Sequence, residues 1–293
     1  MGGLVWLASY PKSGNTWIRS FLNNLIHNTQ EPADINSMRR FSLSDTSRSQ
    51  FQEISSRPLE ELDFTELLRL RFPVQARMTK ASTGPVLVKT HNCLGDWRGI
   101  KLHDMKLTAA AVYILRNPLD VAVSVAPHFN LTTDKAIDFM SAKGAGTKLS
   151  GKYTPELYGT WSEHVLSWTV KESPGLLVLR YEDLLDKPAE TFGELGRFLR
   201  VPADEERLMR AIRHSSFDVL KAQEEVRGFI ERPEHAQSFF RVGKAGQWRE
   251  VLTPDQVRQI ISGHWEQMER FGYIPDDYRD AIPEEARVKI KAD

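Results

Sequence analysis

Residues 10–17 (YPKSGNTW) bring a lysine, a glycine and three hydroxyl groups together, after an apolar stretch and before a run with helical spacing. A tight turn between a strand and a helix directs backbone N–H groups and the positive end of the helix dipole to one place, where phosphate-like anions bind. Lys12 adds a full charge there. The ATP-type loop G-x-x-x-x-G-K-[ST] is excluded, because the lysine precedes Gly14 and the first glycine of that motif is missing. The alternative is an ordinary strand-to-helix turn with an exposed lysine.

A second set of chemical groups, Lys89 and His91, stands at the end of the apolar run 85–89. Ligands of open α/β sheets bind outside the carboxyl ends of the strands. A histidine in that place can serve as a general base, because its ordinary pKa is close to neutrality. The chain contains eight histidines, so a surface or core role for His91 is the alternative.

A third set begins with Arg116, which follows the apolar run 110–115 and precedes a helix start signal of a capping asparagine and a proline. An arginine in this position can form paired hydrogen bonds with a phosphate. Asp120 and Ser124 are four residues apart and therefore share a face of that helix. For Asp120 we expect simple capping of its own helix.

These three sets need structural elements that place them at one edge of a sheet. The apolar runs predict strands at residues 3–9, 85–89, 110–115 and 176–179, and helical spacing or start signals follow at 16–27, 117–120 and 189–199. Strands that are apolar throughout and alternate with helices indicate a parallel sheet that is covered on both faces. The predicted fold class is α/β: a single domain with a central parallel sheet flanked by helices and a P-loop-kinase-like phosphate-binding strand-loop-helix at residues 10–17.

The chain shows no linker that would divide it into independent halves. Its 293 residues are 41% hydrophobic and 27% charged, as in an ordinary globular protein. We predict one domain over residues 1–293. Three polar or glycine-rich segments, at residues 28–58, 141–159 and 227–247, are long for loops inside a domain and predict mobile binding loops or lids.

The overall charge and the cysteine count exclude several classes of protein. Thirty-nine basic and thirty-nine acidic residues cancel, which disfavours a general nucleic-acid or membrane-surface protein but allows a local basic pocket. A single cysteine, Cys93, excludes an internal disulfide framework and a cysteine-rich zinc site. No apolar run is long enough for a membrane span, and the start lacks a signal-peptide pattern. We expect a cytoplasmic protein.

The three sets, in this order, resemble the cytosolic-type sulfotransferases that use 3′-phosphoadenylyl sulfate. The family's 5′-phosphosulfate loop P-K-S/A-G-T/N-T-W stands here at 11–17, its K-T-H run at 89–91 and its 3′-phosphate segment R-N-x-x-D-x-x-x-S at 116–124. Weaker matches follow at 180–184 (RYEDL), 215–217 (SSF) and 241–248 (RVGKAGQW). The sequence of residues 9–17 (SYPKSGNTW) and that of residues 159–164 (GTWSEH) resemble those of bacterial relatives more closely.

The resemblance implies a role for each matched residue. Lys12 would contact the bridging oxygen of the phosphosulfate, His91 would be the base, and Lys89 an auxiliary cation. The other matched residues would hold the donor and its product, adenosine 3′,5′-bisphosphate. These are Ser13, Gly14, Asn15 and Thr16 at the 5′-phosphate, Trp17 and Phe217 at the adenine, Tyr181 and Ser215 near the adenosine, and Arg116, Ser124 and Arg241 at the 3′-phosphate, with Gly243 in the same late segment.

The same resemblance implies transfer to a hydroxyl group of a small-molecule or natural-product acceptor, attacking sulfur in line, under the insertions 141–159 and 227–247. Such a transfer depends on positioning and on neutralising the leaving oxygen, which lysines would do, so no metal is expected. Val242 replaces a family lysine at the 3′-phosphate, a contact that Lys244 would have to supply. Pro254 and Arg258 depart from the family's dimer motif, so the oligomeric state stays open.

Two other functions are compatible with a nucleotide site. One is a nucleotide-dependent kinase with a degenerate P-loop, which the missing G-K-[ST] and the segment 116–124 disfavour. The other is a non-catalytic nucleotide-binding protein, which the presence of both Lys12 and His91 disfavours. His164 is expected to be structural.

Overall fold

The computed structural model describes residues 2–285; Met1 and residues 286–293 of the predicted single domain lie outside the described residues. The strands of the described chain are β1 (Leu4–Ser9), β2 (Leu43–Ser44), β3 (Val86–Thr90), β4 (Asp96–Trp97), β5 (Ile100–Lys101), β6 (Thr108–Leu115) and β7 (Leu176–Arg180). Its first helices are α1 (Asn15–His27), α2 (Met38–Phe41), α3 (Arg48–Gln52), α4 (Phe64–Arg69), α5 (Arg71–Met78), α6 (Pro118–His128) and α7 (Thr133–Ser141). The later helices are α8 (Trp161–Thr169), α9 (Tyr181–Asp186), α10 (Pro188–Phe198), α11 (Glu205–His214), α12 (Phe217–Arg227), α13 (Trp248–Val251) and α14 (Pro254–Arg270). Short 3₁₀ helices lie at Ile35–Ser37, Leu59–Glu61 and Asp276–Ala281.

Strand β1 is the centre of a five-stranded sheet with the order β2-β3-β1-β6-β7. Every neighbouring pair in this sheet is parallel, whereas β4 and β5 form a separate antiparallel pair. Because β3 and β6 flank β1, their carboxyl ends meet the loop that leaves β1, which is the usual ligand position in such sheets. The predicted α/β fold with a central parallel sheet is confirmed.

Helices cover both faces of the sheet, which is why its strands are apolar along their whole length. Successive residues of β1 point to opposite faces: Trp6 enters a core shared with α6, α8 and α14, and Leu7 enters a core shared with α1, α10 and α11. Both side chains are fully buried. Each face therefore anchors helices that carry or border the residues at the strand ends.

The segment 28–58 corrects one prediction, since its polar composition had indicated a loop without secondary structure. It contains α2, α3 and β2, and β2 extends the sheet by pairing Leu43 with Val88 and Ser44 with Lys89. Scattered apolar residues of the segment, such as Met38 and Phe51, are each only 1% exposed. The apolar residues of this segment follow neither the helical nor the strand period, so the sequence gives no sign of secondary structure. Contacts with distant parts of the chain determine the conformation of the segment.

The other two predicted loops have little regular structure. Segment 141–159 follows α7 and forms two isolated bridges, Ser47 with Tyr153 and Gly146 with Leu157. Between α12 and α13, residues 228–247 form neither helix nor strand; we call them the late segment. No helix of the described chain is long and apolar enough to cross a membrane.

Candidate active site

The carboxyl ends of four parallel strands open into one cavity of about 1010 Å³. Strand β1 leads to Lys12, β3 to Lys89 and His91, β6 to Arg116 and β7 to Tyr181. The cavity brings together almost all of the predicted site residues. They are Lys12, Gly14, Asn15, Thr16, Trp17, Lys89, His91, Arg116, Ser124, Tyr181, Phe217, Arg241 and Gly243.

Two predicted residues do not line the cavity. Ser13 is 1% exposed. Ser215 is fully buried, and its hydroxyl donates to the carbonyl of Ala211 at 2.8 Å, inside its own helix. The neighbouring Ser216 lines the cavity instead. A sequence pattern cannot distinguish two adjacent serines at a helix end, because their orientation depends on the packing of α11 and α12.

The loop after β1 has the backbone of an anion-binding turn. Lys12 adopts a left-handed conformation with φ of 67°, which is unusual for a residue with a side chain, and Gly14 has φ of 110°. A Cβ atom on Gly14 would lie 2.9 Å from the Tyr181 ring, so this position needs glycine. No side chain within residues 2–285 caps the start of α1. The amide groups and dipole of that helix start are therefore available for an anion.

Several buried polar atoms at the site lack hydrogen-bond partners among the described residues. They include the hydroxyl of Ser13, the indole N–H of Trp17 and Nε of Arg116. A buried donor without a partner costs about 1–3 kcal/mol, and these three lie around one loop. A ligand rich in oxygen acceptors, such as a nucleotide phosphosulfate, fits this donor set.

Aromatic rings form the wall beside these donors. Trp17 and Tyr181 pack edge to face with centroids 5.5 Å apart, and the Arg116 guanidinium lies 4.2 Å from the Tyr181 centroid. Gly243 has φ of 68°, and a Cβ atom there would lie 2.1 Å from the Phe217 ring. Only glycine allows this close contact, so Gly243 and Phe217 set the width of the cavity at this end.

Arg116 connects two parts of the site. Its guanidinium donates to the carbonyl of Lys12 at 3.0 Å and to the carbonyl of Lys244 at 3.2 Å. The loop after β1 and the late segment are thus held by the same side chain. The Lys244 side chain itself is exposed and does not line the cavity, so its predicted 3′-phosphate contact stays a prediction.

The cations of the cavity repel one another before any anion binds. Burial, together with the charges of Arg116, Lys89 and Arg241, lowers the pKa of Lys12 to about 7. The Lys12 ammonium lies 3.9 Å from the centroid of Phe239, which offers it the face of the ring. A bound anion would restore the charged form of Lys12.

His91 has one nitrogen fixed and the other available. Its Nδ1 lies 2.8 Å from the carbonyl oxygen of Ser9, and because a carbonyl only accepts, Nδ1 carries the proton. The Nε2 atom then has a lone pair. Burial and the charge of Lys89 hold the pKa of His91 well below its ordinary value. The ring is therefore neutral near pH 7 and able to accept a proton.

One further histidine contacts the backbone of His91, and another lines the cavity. His164 donates from Nε2 to the carbonyl of His91 at 3.0 Å, and its Nδ1 lies 2.8 Å from the hydroxyl of Tyr113. It is fully buried, which agrees with the structural role expected for it. His128 lines the cavity, but burial and the charge of Lys12 lower its pKa to about 2.

The late segment is held by carboxylates that the sequence analysis missed or misassigned. Asp120 does not cap its own helix, where Asn117 is the capping side chain; it accepts from the amides of Gly246 at 2.7 Å and Trp248 at 3.0 Å. Glu224 is only 4% exposed and accepts from the amides of Phe239 and Phe240 at 2.7 and 2.9 Å. Hydrogen bonds to these carboxylates therefore hold the segment in place, since it has no helix or strand of its own.

A third carboxylate, Glu231, reaches Lys89. Its Oε2 lies 3.4 Å from the Lys89 ammonium, and the Arg19 guanidinium donates to both of its oxygens, at 3.0 and 2.9 Å. These partners are 142 and 212 residues away along the chain. Glu231 belongs to no motif, so no signal in the sequence could have identified it.

Comparisons with known proteins give similar sequences and a similar fold. The profile of the family described as Sulfotransferase domain matches residues 3–272. Sulfotransferase 1B1 of Mus musculus is 29% identical over 266 residues, which cover 88% of this chain and 80% of that protein. Cytosolic sulfotransferase 13 of Arabidopsis thaliana is 27% identical over 269 residues, covering 87% and 74%. Both relatives are eukaryotic, so the bacterial affinity stays a prediction.

A solved structure has the same fold. Retinol dehydratase, crystallised with androsterone and the inactive cofactor PAP, superposes with a TM-score of 0.64 at 23% identity and covers 91% of this chain and 80% of its own. Within residues 2–285, no three His, Cys, Asp or Glu side chains are grouped so that they could hold a metal ion.

Proposed function

The chain belongs to the sulfotransferase domain family, and we propose that it transfers the sulfuryl group of 3′-phosphoadenylyl sulfate to a hydroxyl group of a small-molecule or natural-product acceptor. The observation that carries the proposal is the meeting of Lys12, Lys89 and His91 in one cavity. Two cations and a neutral imidazole at the ends of adjacent strands are the groups that an in-line transfer from a phosphosulfate requires.

The donor would occupy the end of the cavity that the unpartnered donors surround. Ser13 and the start of α1 would hold the 5′-phosphate, Trp17 and Phe217 the adenine, and Arg116 the 3′-phosphate. Among the described residues, Nε of Arg116 has no partner, although its other nitrogens donate to two carbonyls. Ser124 and Arg241 line the same cavity and would add further 3′-phosphate contacts.

The residues then divide the chemistry between proton transfer and charge neutralisation. His91 accepts the acceptor's hydroxyl proton on Nε2 while the hydroxyl oxygen forms its bond to sulfur. The bond between sulfur and the bridging oxygen breaks, and its electron pair stays on that oxygen, where Lys12 meets the growing charge. Adenosine 3′,5′-bisphosphate leaves with that oxygen. Because the charged lysine is already in position when the reaction begins, it needs no rearrangement to stabilise the transition state.

The acceptor would lie against the aromatic part of the cavity. Phe129, Tyr158 and Phe239 line it, and the contact of Phe239 with Lys12 supports a position of this wall beside the transfer point. Androsterone in the solved retinol dehydratase structure supports a small organic acceptor here as well. Segments 141–159 and 228–247 both contribute lining residues and are where acceptor preference would be set.

The donor assignment is tested by thermal shift with three nucleotides. Adenosine 3′,5′-bisphosphate should raise the melting temperature more than AMP or ATP, because only the bisphosphate carries a 3′-phosphate. At a hundred times its dissociation constant a ligand stabilises by about 2.7 kcal/mol. The Ser124→Ala variant is the matched control, since it should reduce the bisphosphate shift and leave the AMP shift unchanged.

Equal shifts of the melting temperature with ATP and with the bisphosphate would favour the alternative of a nucleotide-dependent kinase. The reaction itself is tested by mixing 3′-phosphoadenylyl sulfate with a panel of phenols, sterols and sugar alcohols and measuring bisphosphate release. Tight donor binding with no release across the panel would favour the non-catalytic nucleotide-binding protein.

A cytoplasmic location is part of the proposal, since one relative is named a cytosolic sulfotransferase and the chain has a single cysteine. The balanced charge supports a small-molecule partner over nucleic acid. Oligomeric state is tested by sedimentation of the purified protein.

A further inference from the structure

The Lys89 ammonium stands at the end of a long flexible side chain, and a catalytic cation must hold its place. Its hydrogen-bond partner within residues 2–285 is Glu231, whose Oε2 lies 3.4 Å from Nζ. Both side chains are largely shielded from solvent, with exposed fractions of 17% and 8%. Lys89 thus takes its position from a residue of the late segment, not from its own strand.

Glu231 is itself held rigidly. Arg19 donates to both carboxylate oxygens, and the Nε of Arg19 donates to the hydroxyl of Ser42 at 2.7 Å. The Arg19 side chain is only 2% exposed. A carboxylate fixed by a bidentate arginine has little freedom, because the planar fork sets its orientation as well as its distance.

The backbone around Glu231 is fixed by a second set of contacts. The amide of Ile230 donates to Oδ1 of Asn36 at 2.9 Å, and Nδ2 of Asn36 donates to the carbonyl of Gly228 at 3.1 Å. The late segment is therefore docked on segment 28–58 at the point where it presents Glu231.

An acidic residue in an anion-binding cavity opposes donor binding unless it has another role. Burial raises the pKa of Glu231, but the charges of Lys89 and Arg19 outweigh burial and hold its pKa well below the ordinary value. Glu231 is therefore an anion at neutral pH. Such an anion competes with the donor for Lys89, so its removal alone would favour ground-state binding of the donor.

We propose that Glu231 is a positioning residue for Lys89, which keeps the ammonium at the transfer point and prevents it from collapsing onto the donor's phosphates. The inference rests on the proposed function, because Lys89 is the auxiliary cation of the sulfuryl transfer. It also makes the placement of Lys89 depend on the docking of the late segment, since Glu231 belongs to that segment.

The Glu231→Gln variant separates this role from a structural one. The single-turnover rate should fall by about 10²-fold, the effect of a misplaced catalytic group, whereas the affinity for adenosine 3′,5′-bisphosphate should stay the same or become tighter. Damage to the fold would lower both. Glu224→Ala is the control, because Glu224 holds the same segment without contacting Lys89 among the described residues, and it should weaken bisphosphate binding as well as the rate.

A double-mutant cycle with Lys89 provides the sharper test. In a Lys89→Ala background, Glu231→Gln should change the rate by less than about twofold, since the residue through which it acts is gone. If Glu231→Gln lowers the rate by the same factor in both backgrounds, or if bisphosphate affinity falls in parallel with the rate, the proposal is overturned. Should Glu231→Gln not fold, Glu231→Asp replaces it in the cycle, since it keeps the charge but shortens the reach to Lys89.

A third measurement does not depend on an acceptor. Acetylation of Lys89 by acetic anhydride, followed by mass spectrometry of the digested protein, should be faster in Glu231→Gln than in the wild type, while an exposed lysine such as Lys171 should react equally in both. An unchanged Lys89 rate overturns the proposal. If the wild-type protein transfers sulfuryl to no acceptor, the proposed function fails, and the labelling result alone then supports or overturns the Glu231–Lys89 contact.

Discussion

Two parts of the cavity wall are built in different ways. The first consists of short continuous segments, such as 10–17 and 116–124, whose backbone is determined by a strand end, a glycine and a helix start. The late segment instead has no helix or strand of its own between Arg227 and Trp248 and is held by Asp120 and Glu224. A site whose backbone is set by neighbouring residues should tolerate substitutions elsewhere in the chain. A segment that depends on carboxylates from other elements should be displaced when one of those carboxylates is removed.

The largest expected effect comes from the locally determined side. His91→Ala should lower turnover by about 10²–10⁴-fold, the usual contribution of a general base. Bisphosphate affinity should stay nearly unchanged, because in the proposed reaction His91 would contact the acceptor and not the donor. The measurement is steady-state turnover together with calorimetric binding. If this variant keeps wild-type turnover, His91 is not the base and His128 becomes the next candidate. The chemistry would then not depend on this residue at a strand end.

Lys12→Ala should have the next largest effect. Turnover should fall by about 10²–10³-fold, the scale of removing one preorganised donor, with a smaller loss of donor affinity. Lys12→Arg should restore only part of it, since a planar fork does not replace a point charge in a tight loop. A loss of bisphosphate affinity in proportion to the single-turnover rate would reduce Lys12 to a phosphate clamp.

Substitutions of two adjacent glutamates of α12 test whether Glu224 holds the late segment. Glu224→Ala leaves the amides of Phe239 and Phe240 without their acceptor and should lower the free energy of unfolding by about 1–3 kcal/mol. Glu225→Ala is the matched control, because Glu225 is exposed and lies 4.0 Å from Lys221 in a surface pair that contributes little. Urea unfolding measures both, and equal midpoints would contradict the role of Glu224.

The smallest effect is a dependence of bisphosphate binding on pH. The pKa of Lys12 is lowered to about 7 in the free protein, and a bound anion raises it again, so binding above pH 7 takes up a proton. Affinity should therefore fall as pH rises above about 7, by at most about tenfold per pH unit for one proton.

Calorimetry in buffers of different ionisation enthalpy would detect this proton uptake, and Lys12→Met should abolish it. Uptake of equal size in Lys12→Met would assign the proton to another group.

Much of the donor end could be predicted. The apolar runs located β1, β3, β6 and β7 to within about two residues, since a strand buried on both faces must be apolar throughout. The start of α6 was also correct, because Asn117 caps it and a proline follows. The errors lie where partners are remote: segment 28–58 contains the edge strand β2, and Asp120 binds the late segment.

By itself, the sequence determined the parallel sheet, the strand-to-helix turn at 10–17 and the placement of Lys12, His91 and Arg116 at strand ends. These features depend on local backbone preferences and on burial, both of which leave a pattern within a few adjacent residues. Only the tertiary structure decided that Glu231 meets Lys89 and that Glu224 and Asp120 hold the late segment. The contacts of Glu231 and Asp120 join residues 126 to 142 positions apart, and those of Glu224 reach 15 and 16 positions along the chain. A single acidic residue carries no mark in the sequence of the partner that folding brings to it.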